Sequence, residues 1–225
     1  MQSERFIRWS GAALLLGGVA IALFVIVLYP VGGFFGAQRA RDPLWVPAHT
    51  LHLIGALLTL FGVVGLYGRQ IERTGPLGAV GFAIAFVGTA LFVGTGMLTT
   101  FVWPVLAAFA PATLELDGAL FVRPAGVLFG VTILTLIPGY LLLGLATFRA
   151  GVLPRGGALL LMVGVVFAIA PPPPVGPFPW IGLVVGGVLF GAGAAWLGYS
   201  LWSTELPRPL DQAVAVDLGD DARSA

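Results

Sequence analysis

The chain contains no cysteine, which excludes disulfides, thiolate metal sites and cysteine nucleophiles. Lysine is missing as well, since all eleven basic residues are arginine. No glycine stretch therefore completes a Walker-type phosphate cradle, and no nucleophile elbow is present. The arginine bias holds in every loop and reads as genome composition rather than mechanism. Charge of either sign is scarce, at 9% of residues against about 25% in soluble domains. With a net charge of +1 and no block of five like charges, nothing here suits a nucleic-acid backbone.

What fills the sequence is apolar, 58% of it. A hydrocarbon core of about 30 Å takes roughly 20 apolar residues as helix. Charges fall in short clusters, and the gaps between them yield six spans: 9–29, 47–68, 77–102, 125–148, 155–171 and 180–202. The fold class is thus all-α, a polytopic membrane bundle of six transmembrane helices. Arg5 and Arg8 precede the first span. Its apolar run from Ser10 to Tyr29 is longer than a signal-peptide core and has no convincing cleavage site, so it reads as a retained anchor. The fifth span is the short one, with PPPP at 171–174 behind it.

Six spans place both termini and the 69–76 and 149–155 loops on one side. That side carries Arg5, Arg8, Arg69, Arg73, Arg149, Arg155, Arg208 and Arg223; the other carries Arg39, Arg41 and Arg123. The excess predicts both termini in the cytoplasm and a cell-membrane location. Trp9, Trp196 and Trp202 fall near the inner interface and Trp45, Trp103 and Trp180 near the outer one, as aromatic belts do. Residues 205–225 hold five acids and two arginines with few large apolar residues, and are expected to form a disordered acidic tail.

Two inner turns echo each other. RTGPLGAVG at 73–81 and RAGVLPRGG at 149–157 share R-x-G-x-L-x-x-x-G, each joining one span to the next. Duplication of a helical hairpin explains this, as does convergence, because any tight inner turn favours glycine and arginine. With GLYGRQIERTGPLGAVG, the arginine-flanked first helix and RAGVLPRGGALLL, the chain resembles a group of uncharacterised bacterial and archaeal six-helix integral membrane proteins. The resemblance implies the membrane fold and no activity.

Candidate chemistry is sparse. His49 and His52 in WVPAHTLHLIG are the two histidines, three apart at the outer start of the second span. Pro47 suits a first helical turn, which places both rings at the interface, where amphipathic side chains are at home. Two other roles are open: a hydrogen-bonded structural pair, or ligands. With Glu115 and Asp117 from the 103–124 loop, should that loop fold over the bundle, the pair forms a donor set for Zn²⁺. Haem ligation would need a second chain or another ligand type. The 103–124 loop is apolar enough to lie on the membrane as a short interfacial helix containing LELDGALF.

A second candidate is a path near Thr95, Thr99, Thr135, Pro138 and Tyr140. Pro138-Gly139 near mid-membrane predicts a kink, with Thr135 placed to satisfy a freed backbone group. Glycines four apart at 126/130, 182/186 and 187/191 allow close helix packing, within the chain or between copies in a homo-oligomer. The leading expectation is a non-enzymatic accessory or small-solute-handling protein whose partner is the lipid bilayer. The alternatives are a metal- or haem-binding enzyme with an outer-face site, and a passive facilitator.

Overall fold

The computed structural model describes residues 2–31, 36–115, 118–122, 124–169 and 181–203. Among these residues every regular element is helical. In chain order they are α1 (Gln2–Val31), α2 (Ala37–Ala40), α3 (Trp45–Met97), a π-helical turn (Leu98–Val102), α4 (Trp103–Phe109), a 3₁₀ turn (Pro111–Leu114), α5 (Ala119–Val122), α6 (Pro124–Ala150), α7 (Arg155–Ile169) and α8 (Ile181–Ser203).

α3 is two antiparallel arms. At Gly75 the backbone turns to φ 56°, ψ −156°, a region essentially confined to glycine, where a side chain would cost about 1–3 kcal/mol. Pro76 follows and starts the second arm with its φ already set. The reversal between α6 and α7 uses Gly151 at φ 64°. Both glycines fill the same place in the two R-x-G motifs, and both have positive φ. The two hairpins are tied where Gln70 Nε2 donates to Thr147 Oγ1 at 2.7 Å.

The six long helical rods form a ring in which each packs chiefly on its two neighbours: α1, the first arm of α3, the second arm, α6, α7, α8, and back to α1. Glycine sets the close approach. A Cβ on Gly18 would strike α8, one on Gly62 would strike Leu14 of α1, one on Gly139 would strike Ala85, and one on Gly164 would strike Phe190. Small residues at such crossings let van der Waals contact hold helices whose outer faces are equally apolar. Large apolar side chains do face outward, as at Leu134 (73% exposed) and Phe61 (62%).

α1, α3 with its continuation to Phe109, α6 and α8 are long and apolar enough to cross a membrane. α7 has 15 residues, about 22 Å of helix. The boundaries agree with the expected spans to within several residues, except that the third helix continues past 102 through the π turn to Phe109. α6 runs through Pro138 as one helix, and Thr135 Oγ1 donates to the Val131 and Thr132 carbonyls. PPPP, Trp180 and the acidic tail lie outside the described residues.

The two ends of the ring differ. At the turn end, the starts of α1 and the finish of α8 meet, with Trp9 and Trp202 5.5 Å apart and the Arg8 guanidinium 4.7 Å over the Trp202 ring. Leu14, Leu66, Leu143, Leu161, Leu197 and Leu201 fill the ring there. The opposite end carries a cap, in which Ala37, Ala40, Trp45, Trp103, Ala107 and Leu114 pack together. Arg41 Nε donates to the Ala107 carbonyl at 3.0 Å and pins the cap to α4. The expected single helix through LELDGALF is not formed. Glu115 is extended (φ −73°, ψ 155°) and ends the 3₁₀ turn, so α5 is a separate turn.

Candidate functional site

Between the leucine-filled half and the cap, the ring holds a cavity of about 300 Å³ to which all six rods contribute. Its floor includes Tyr140 and Phe190, edge to face at 5.0 Å. Near the cap it is bounded by His49 and Trp103. Among the described residues, no Asp, Glu, Lys or Arg lines it.

The cap end is built by Pro104. Proline has no N–H and crowds the carbonyl four residues back, and the chain answers with the π-helical turn Leu98–Val102. The Trp103 N–H then goes to the Leu98 carbonyl. The Thr99 carbonyl, left to an N–H that Pro104 lacks, accepts the Trp45 indole N–H at 2.9 Å. Trp45 in turn stacks on His49, with ring centres 3.9 Å apart, and on Trp103 at 5.7 Å. His49 Nδ1 lies 2.9 Å from the Trp45 carbonyl. A carbonyl only accepts, so Nδ1 carries the proton and Nε2 is an acceptor.

His52 is held differently. It stacks on Phe24 of α1 at 4.6 Å and meets Phe92 of the second arm edge-on at 4.5 Å. It is 5% exposed, lines the cavity, and neither ring nitrogen has a hydrogen-bond partner among the described residues. An unsatisfied buried polar group costs about 1–3 kcal/mol. The two histidines, expected in the first turns of their helix, are buried there: the cap covers them and the ring surrounds them.

The hydroxyls share one arrangement. Thr59, Thr89, Thr95, Thr99 and Thr132 line the cavity, and each donates to a carbonyl three or four residues back on its own helix, at 2.7–3.0 Å. Tyr140 Oη is 2.8 Å from Thr89 Oγ1. The Thr89 proton is already committed to Ala85, so Tyr140 is the donor. The cavity thus presents hydroxyl oxygens as acceptors only, while His52 keeps both its ring nitrogens.

Of the residues expected to line a path, Thr95, Thr99 and Tyr140 line this cavity, and Thr135 and Pro138 are not among its lining residues. The helical repeat explains the difference. Thr132, Leu136 and Tyr140 form one stripe at spacing four, and at 3.6 residues per turn Pro138 falls opposite it. Of the metal candidates, Glu115 is exposed on the cap and does not line the cavity; Asp117 lies outside the described residues. Among the described residues no three His, Cys, Asp or Glu side chains come together, and the histidine ring centres are 6.4 Å apart. Thr59, Thr89 and Thr132 were not anticipated. Their signal is the stripe 49/52/56/59 on the first arm and 89/92/96/99 on the second, both at helical spacing.

Compared with protein-family models, with curated proteins and with solved structures, the chain matches none.

Proposed function

We propose that this chain is an integral protein of the cell membrane that crosses it six times, with both termini cytoplasmic, and that holds a small uncharged apolar molecule in the cavity beneath the cap. It handles that molecule without altering it covalently. Long apolar rods with outward-facing leucine and phenylalanine suit lipid, and the turn end carries Arg69, Arg73, Arg149 and Arg155, as a cytoplasmic face does.

The observation that carries the reading is the cavity of about 300 Å³, bounded largely by apolar and aromatic side chains and lined by a buried His52 with no partner among the described residues. Concave, mostly apolar sites with a few placed polar groups are where small molecules bind. A charged molecule would have no counter-charge there, which is costly in a low-dielectric setting.

Thermal unfolding of the detergent-purified protein tests this. Naphthalene should raise the Tm of the wild type and leave Thr132→Phe, which fills the cavity from α6, unmoved. 1-Naphthoate should raise neither. Equal effects on wild type and Thr132→Phe, or none on the wild type, would overturn the reading.

A further inference from the structure

Resting on that reading, we infer that the molecule held beneath the cap bears a hydroxyl group, an alcohol or phenol on an otherwise apolar frame, and that His52 is the side chain that recognises it.

The inference comes from counting protons inside the cavity. Thr59, Thr95, Thr99 and Thr132 each direct their single hydroxyl proton to a backbone carbonyl, and Tyr140 directs its own to Thr89. What these groups offer a ligand is lone pairs. A neutral imidazole has one N–H and one bare nitrogen, and on His52 both are without a partner. The complementary group must give a proton to an acceptor-rich wall and accept one from His52. A hydroxyl does both. A ketone or ether can only accept, so it answers an N–H of the wall and leaves the acceptors unanswered. A hydrocarbon answers neither, and a carboxylate or ammonium brings a charge that nothing lining the cavity offsets.

The placement of His52 fits the role. Phe24 stacked on one side and Phe92 edge-on fix the ring from two different helices, and a locked donor costs little to order when the ligand arrives. At about 30 Å³ for a water-sized group, the space suits a frame on the order of ten heavy atoms.

Binding of three matched probes, followed by calorimetry on the full-length protein in detergent, tests the inference. 1-Naphthol, 1-methoxynaphthalene and naphthalene share one ring system and differ in the hydroxyl. The expected result is that 1-naphthol binds the wild type about tenfold more tightly than the other two, a typical worth for one buried hydrogen bond. His52→Phe, which keeps the stacking, should bind all three about equally. If the wild type binds all three alike, the hydroxyl inference is overturned while the apolar site stands. Failure of all three to bind the wild type overturns the site itself and the inference with it. Should His52→Phe not fold, His52→Leu is the second variant, and the wild-type comparison of 1-naphthol with its methyl ether decides without either. Mass spectrometry of an organic extract of the freshly purified protein adds the source: a lipid alcohol present in wild type and depleted in His52→Phe marks a membrane-borne ligand. A bound apolar molecule lacking any hydroxyl overturns the inference.

Discussion

The indole N–H of Trp45 donates to the carbonyl of Thr99 at 2.9 Å, across the two arms of α3. The carbonyl is available because the Trp103 N–H has moved back to Leu98 and Pro104 has none to give. One proline thus reaches His49 by way of Trp45, whose ring lies against the imidazole. π-Helical turns are frequent at functional sites, and here the turn stands at the roof of the cavity.

Trp45→Phe keeps the ring and removes the donor. It should destabilise the protein by about 1–3 kcal/mol, the cost of leaving a buried carbonyl unanswered, read from reversible unfolding in detergent. In a Pro104→Ala background the cost should shrink, because alanine supplies a backbone N–H to the same turn. An equal cost in both backgrounds would show that Pro104 does not create the opening.

The Thr89–Tyr140 pair should respond asymmetrically. Tyr140→Phe leaves Thr89 still bonded to Ala85 and should cost no more than about 1 kcal/mol of hydrogen bonding. Thr89→Val strands the Tyr140 hydroxyl and should cost more. Thermal unfolding of the two variants gives the order, and the reverse order would mean that Tyr140 does not donate to Thr89.

Glycines should sort by what their missing side chain would meet. Gly164→Ala drives a Cβ into the backbone of Phe190 and should destabilise by about 1–3 kcal/mol or prevent assembly. Gly130→Ala in α6 meets nothing within 4 Å and should stabilise by about 0.5–1 kcal/mol through helix propensity. Unfolding midpoints distinguish them; similar losses at both sites would refute the packing described between α7 and α8.

The orientation is testable because the chain has no native cysteine. A membrane-impermeant maleimide should label Glu115→Cys in intact cells and Arg69→Cys only after lysis. Labelling with the opposite preference would invert the topology proposed.

The rods, their breaks and their count were legible in the sequence. In lipid each backbone group must be satisfied within its own segment, so an uncharged run of sufficient length is read as a helix. Gly75 and Gly151 were legible as turns, since each follows Arg-x and precedes a new apolar run. Which face of each helix looks inward was hardly legible. A helix that is apolar on its outer face as well as its inner one is apolar all round, so Thr132 and Thr135 read alike, and only the packing puts one in the cavity and the other off it. The histidines show the same division. Their spacing set them on one face of the second helix, whereas their burial came from contacts distant in the chain: Pro104, more than 50 positions on, shaped the turn that holds Trp45, and Arg41 fastened the cap to Ala107. The sequence by itself determined six apolar rods and the turns between them; only the tertiary structure decided that His52 faces a cavity with neither nitrogen answered by a described residue, because that depends on contacts between helices distant in the chain.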